Sequence, residues 1–138
     1  MVKDINFKVL AESSELQIGH LFEDTYLLRK RTKEYYYLCS FYGDPTCALI
    51  DYNNSFCLVG GVDNIILWKE NKIINIGKDM LYPTFDIRQK GYSTVEILTD
   101  PWSGNPAIWV VDIKTLAIQK RRDFFEYKNK EYTENIEW

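Results

Sequence analysis

Reactive chemistry in this chain of 138 residues would have to begin from one histidine, His20, and three cysteines, Cys39, Cys47 and Cys57. A thiol becomes a nucleophile when a base within hydrogen-bond reach takes its proton, so His20 would have to meet one of the three. Each cysteine sits in an apolar, strand-like run, where thiols are ordinarily buried and inert. Structural zinc asks for four Cys or His ligands at short spacings, whereas these cysteines stand eight and ten residues apart. Their odd number and low density also argue against a disulfide scaffold. Gly60-Gly61 has no following lysine and no helix to make a phosphate loop. Carboxylates are plentiful enough to supply a glycosidase-like pair, but in an acidic chain such pairs are ordinarily solvated faces or turn caps. The expectation is a protein that is not an enzyme, with no catalytic residue, metal or cofactor.

The residues suited to binding lie in turns. Trp102 stands in Asp100-Pro101-Trp102-Ser103-Gly104-Asn105-Pro106, where a large ring is not needed to make the turn. Tryptophans so placed serve either as interface anchors or as rings folded back over an open sheet end. Tyr82, in the loop before it, invites the same argument. From residue 44 to residue 112 there are nine acids (Asp44, Asp51, Asp63, Glu70, Asp79, Asp86, Glu96, Asp100, Asp112) against five bases (Lys69, Lys72, Lys78, Arg88, Lys90), a balance of 5 − 9 = −4. A rim of turn carboxylates, Asp44, Asp51, Asp63, Asp79, Asp86 and Asp100, beside Trp102 and Tyr82 would suit a basic partner. The competing reading is that these acids serve their own turns. The basic clusters Arg29-Lys30-Arg31-Lys33 and Lys120-Arg121-Arg122 could meet RNA across a tyrosine-rich strand. Alternation splits Arg29 and Arg31 from Lys30, and a net charge of −3 disfavours nucleic acid as the main partner.

Strands must position these loops. Asn53-Asn54 reads as a type I′ hairpin turn, which opposes Ile50 to Cys57, Leu49 to Leu58 and Ala48 to Val59. One face then carries Ala48, Ile50, Cys57 and Val59, the other Cys47, Leu49, Phe56 and Leu58, so the hairpin belongs between two covering layers. A second turn at Glu70-Asn71 opposes Trp68 to Ile73 and Leu67 to Ile74, and places Lys69 against Lys72. Gly60-Gly61 between the hairpins marks a bulge or turn. Residues 5–10 alternate as a half-buried strand, 11–24 read as a loop or a short helix capped by Ser13 or Ser14, and two strands joined at Thr32-Lys33 follow. Beyond the loop at 78–83, strands are expected at 85–89, 93–99, 107–111 and 116–121, with Asp112 starting a turn through its side chain and a last strand in FFEYK.

The result is one all-β domain: an antiparallel meander of about ten strands, half-propeller-like or curled into a sandwich or barrel, with little helix. Strand–turn–strand units recur without repeating residues, and a full propeller of four blades would need more chain. Nothing at the amino terminus reads as a signal peptide and no apolar run would span a membrane, so the expected compartment is the cytoplasm.

The hairpin run CALIDYNNSFCLVGG and NIILWKENKIINIG, with the size and mild acidity of the chain, resembles the immunity proteins of contact-dependent growth inhibition and related bacterial polymorphic toxin systems. That resemblance implies a cognate toxin domain as partner, often a basic nuclease, blocked by occlusion of its active site. It transfers no site residues. The alternative is a small-molecule or glycan-binding module with Trp102, Tyr82 and Tyr92 at the mouth of a curled sheet.

Overall fold

The computed structural model describes residues 5–77 and 79–138 and is all-β. Among the described residues there are twelve strands in three four-stranded antiparallel sheets and no helix. The first sheet holds β1 (Phe7–Glu12), β2 (Leu16–Leu21), β3 (Asp24–Arg29) and β4 (Glu34–Ser40). The second holds β5 (Cys47–Ile50), β6 (Phe56–Gly60), β7 (Ile65–Lys69) and β8 (Lys72–Asn75). The third holds β9 (Thr84–Gln89), β10 (Thr94–Thr99), β11 (Ala107–Asp112) and β12 (Ile118–Asp123). Within each sheet, strands adjacent in sequence pair in space, the arrangement short hairpins allow. The first strands β1, β5 and β9 lie side by side. The sheets fan out from them like three blades and do not close into a barrel.

The second sheet is the core expected of it. Pairing of Ile50 with Cys57, Leu49 with Leu58 and Ala48 with Val59 is as the sequence requires. Cys57, Val59, Ile66 and Trp68 pack toward the first sheet, and Phe56, Leu58, Ile65 and Leu67 toward the third. Each such side chain taken wholly out of water contributes about 2 kcal/mol. Both Glu70 and Asn71 have positive φ, with Trp68 opposite Ile73, so that hairpin is the type I′ turn expected. The first turn differs: only Asn54 has positive φ, and the turn closes from the Asn54 N–H to the Asp51 carbonyl at 2.9 Å. Tyr52-Asn53 therefore occupy its centre in place of Asn53-Asn54. At Gly60-Gly61 the missing side chains make room for neighbours, because a Cβ on Gly60 would stand 2.7 Å from Thr84 and one on Gly61 2.5 Å from the Phe41 ring.

The first sheet corrects the loop-or-helix reading of 11–24, since β2 runs through it and buries Leu16, Ile18 and His20. Ser13 does use its hydroxyl to cap backbone, accepting from the Leu16 N–H at 3.0 Å, but it closes a turn between strands and starts no helix. Through β4 and Phe41, strand alternation would set Tyr35, Tyr37, Cys39 and Phe41 on one face and Tyr36, Leu38 and Ser40 on the other, and the structure departs from it. Thr25 pairs with Cys39 while Tyr26 pairs with Tyr37, leaving Leu38 as an extra residue. This bulge changes the phase, so Tyr36, Leu38, Cys39 and Phe41 all reach one core.

The third sheet buries one face against the second through Ile87, Val95, Ile97 and Val111. Its far face carries Leu98 and Ile108, which need a cover. Residues 124–138 supply it without forming the expected strand at FFEYK. Phe124, wholly buried, docks on Leu98 and Ile108, and Phe85, Tyr127, Ile136 and Trp138 complete the cluster.

Candidate functional site: the acidic end

An up-and-down sheet places its connections alternately at two ends. Hydrogen bonds tie the connections at one end into a continuous surface: Phe41 N–H to the Glu23 carbonyl (3.0 Å), Tyr42 N–H to Asp63 Oδ1 (3.2 Å), Thr84 N–H to the Gly61 carbonyl (3.0 Å) and Asp100 N–H to the Pro83 carbonyl (2.8 Å). These connections carry Glu23, Asp44, Asp63, Asp79 and Asp100 against one base, Lys78, which lies outside the described residues. Connections at the opposite end carry Lys30, Arg31, Lys33, Lys90 and Lys114 against Glu15, Glu70 and Asp51. The connections are thus polarised along the strands; the tail that packs at the acidic end adds Lys128 and Lys130 beside Glu126, Glu131 and Glu134. Among the described residues no ion pair reaches the five acids of the acidic connections, nor Glu15, Asp51 or Glu70 at the other end. Phe22 and Tyr42, 60% and 80% exposed, stand in the acidic connections.

Six of the eight residues singled out from sequence meet at this end: Asp44, Asp63, Asp79, Tyr82, Asp100 and Trp102. Asp79 accepts the Tyr82 hydroxyl at 2.7 Å, and this bond, with burial, holds the phenol above its ordinary pKa. Asp86 is the third residue of β9, in a cleft that opens on the same end. Asp51 does not belong to the site. It is buried at the opposite end, where it accepts Ser55 N–H and hydroxyl and, at 2.6 Å, Gln89 Nε2. Burial alone would raise its pKa, and the bonds from Ser55 and Gln89 outweigh that and lower it. Its side chain holds a turn. Tyr92 is likewise separated from Trp102 and Tyr82, for it sits between β9 and β10 at the opposite end, so the mouth formed by those three rings is not assembled.

Of the two readings of Trp102, the geometry is that of a ring folded back on its own chain. It packs edgewise or tilted against Phe85 (6.2 Å), Tyr127 (6.2 Å) and Tyr132 (5.0 Å), and its Nε1–H donates to the Lys130 carbonyl at 2.9 Å. The tail is thereby pinned so that Tyr132 and Glu134 wall the cleft beside Asp86 and Asp100. Sequence reasoning missed Glu23, Tyr132 and Glu134. The first lies in the segment read as loop or helix, and the other two follow FFEYK, read as a last strand, so no local signal placed them near Asp100.

The candidate reactive groups are committed to structure. Burial pushes the thiols of Cys39, Cys47 and Cys57 each up to about 12, with nearby Asp63, Asp86 and Asp51 respectively adding to the shift. Such thiols stay protonated and are poor nucleophiles. His20 is buried with Nδ1 2.8 Å from the Phe22 carbonyl. No group of three His, Cys, Asp or Glu among the described residues is disposed to hold a metal ion. No helix among them is long and apolar enough to cross a membrane.

By its fold, then, the chain is a fan of three four-stranded antiparallel sheets. Its structure is similar to the crystal structure of the tricorn protease, with a TM-score of 0.57 and 16% identity over 81% of this chain. The match covers 12% of that protein's chain, and at this identity the likeness is one of fold. No family model matches the sequence, and no curated protein matches it.

Proposed function

We propose that this chain is a bacterial immunity protein, one that binds a cognate toxin domain and neutralises it by covering the active site, within the cytoplasm. The observation that carries this reading is the polarised charge of the connections: five acids without ion-pair partners among the described residues, gathered with exposed aromatic rings at one end of a β scaffold. A surface of that kind attracts a basic protein at long range and holds it by burying rings at short range. A nuclease fits the partner's side, because a site built for phosphates is basic and acidic loops can stand in for the substrate. The reading asks nothing of the neutral thiols or the buried histidine.

The test is capture from the native organism together with co-expression. The tagged chain is expected to retain one stoichiometric basic protein, to lose it progressively with salt, and to relieve the growth defect that protein causes when expressed alone. Capture of no protein, or of one whose toxicity co-expression leaves intact, contradicts the reading. A second reading, a small-molecule or glycan-binding module, is favoured by one feature only, the cleft walled by Phe85 and Tyr132, about 520 Å³ in volume and within the range of ligand sites.

A further inference from the structure

The cleft at the acidic end lies where β5 and β9 begin, between the second and third sheets. Phe85 and Tyr132 give it aromatic walls, Val62 an apolar lip, and Asp86, Asp100 and Glu134 its charge. Tyr132 and Val62 remain 67% and 47% exposed, a cost in apolar surface that the tail's own packing does not remove. Like most carboxylates of the described residues, Asp86, Asp100 and Glu134 form no ion pair, so a cation entering the cleft would meet charges that no Lys or Arg already neutralises. Part of their capacity is used within the chain: Asp100 accepts Trp102 N–H at 2.9 Å, and Asp86 accepts Trp138 Nε1 at 3.2 Å and Ile87 N–H at 2.9 Å. No three of the acids in this region converge as a metal site would need. Spread carboxylates around aromatic walls match a planar, weakly hydrated cation that stacks on rings while its N–H groups reach outward, and a guanidinium does this better than an ammonium.

We propose that this cleft receives an arginine side chain of the protein partner. The inference rests on the immunity reading and deepens it, by naming what the acidic end grips. Trp102 acts here as a positioning residue, since it holds the tail that carries Tyr132 and Glu134.

The chain of 138 residues, labelled with nitrogen-15, is titrated with the blocked tripeptide Gly-Arg-Gly, with blocked Gly-Lys-Gly and with agmatine, a free guanidinium compound. The arginine peptide is expected to saturate in the millimolar range, moving the amide signals of Phe85, Asp86, Asp100, Tyr132 and Glu134, with the lysine peptide about tenfold weaker. The pair of substitutions Asp86→Asn and Glu134→Gln, in a protein whose remaining spectrum is unchanged, is expected to weaken the arginine peptide about tenfold. No saturable shift, equal response to lysine, or binding of agmatine with exclusion of the peptide overturns the proposal, the last result making the cleft a small-molecule site. A failed titration beside a captured, neutralised toxin overturns this inference alone. A positive titration with no captured partner overturns the immunity reading.

Discussion

Glu96 shows how one residue can hold a sheet face together. It is 4% exposed on β10 and receives Arg88 Nε at 2.8 Å from the adjacent strand β9 and Arg121 Nη1 at 2.7 Å from β12, one strand beyond β11. Burial raises its pKa, but the bonds and charges of Arg88, then Arg121, outweigh burial and hold it below the ordinary 4.5. A carboxylate depressed on folding contributes stability that is complete above its unfolded pKa and is lost as pH falls through the folded value. Glu96→Gln is therefore expected to cost about 2 kcal/mol at neutral pH, below the range for a fully buried charged pair because both arginines are partly exposed. Below the unfolded pKa the difference should shrink. Urea denaturation of both proteins from neutral to acid pH measures it, and a constant offset across that range would remove the role assigned to Glu96. Arg88 also lies 3.8 Å from the centroid of the Trp138 ring, so the same cluster ties down the end of the tail.

At the scale of elements, the tail and Trp102 form one unit. Trp102→Ala removes ring contacts to Phe85, Tyr127 and Tyr132 and leaves the Lys130 carbonyl without its donor. The expected result is a loss of about 3 kcal/mol at most, with trypsin cutting after Lys128 and Lys130 much faster than in the wild type. Unchanged cleavage would show that the tail holds without this ring. The same elements show what local pattern can and cannot reveal. The second sheet is legible because both of its faces are apolar and its turn at Glu70-Asn71 fixes register. β2 is obscured by its short apolar set and by serines whose capping chemistry serves a strand turn as well as a helix start. The Leu38 bulge is set by cross-strand pairing with Thr25 and Tyr26, which β4 alone does not encode. The tail is amphipathic enough to mimic a strand, but it packs by rings on Leu98 and Ile108 without extending a ladder.

For the molecule as a whole, the acidic end exists only because antiparallel meanders return every second connection to the same side. Asp44, Asp63, Asp79 and Asp100 stand in turns far apart in the sequence, and topology brings those turns to the same end as Glu23. The same logic sends Asp51 to the far end. The opposite, more basic end provides an internal control, since its loops share the scaffold but carry five bases against three acids. The most direct test of the central claim is therefore partner capture and toxicity relief by two charge-reversed proteins, one with Asp44, Asp63 and Asp79 changed to lysine, the other with Lys30, Lys33 and Lys114 changed to glutamate. The first is expected to lose at least about tenfold in association rate at low salt and to protect cells no longer, while the second binds and protects as the wild type does. Equal binding and protection by the acidic-end variant would contradict the claim.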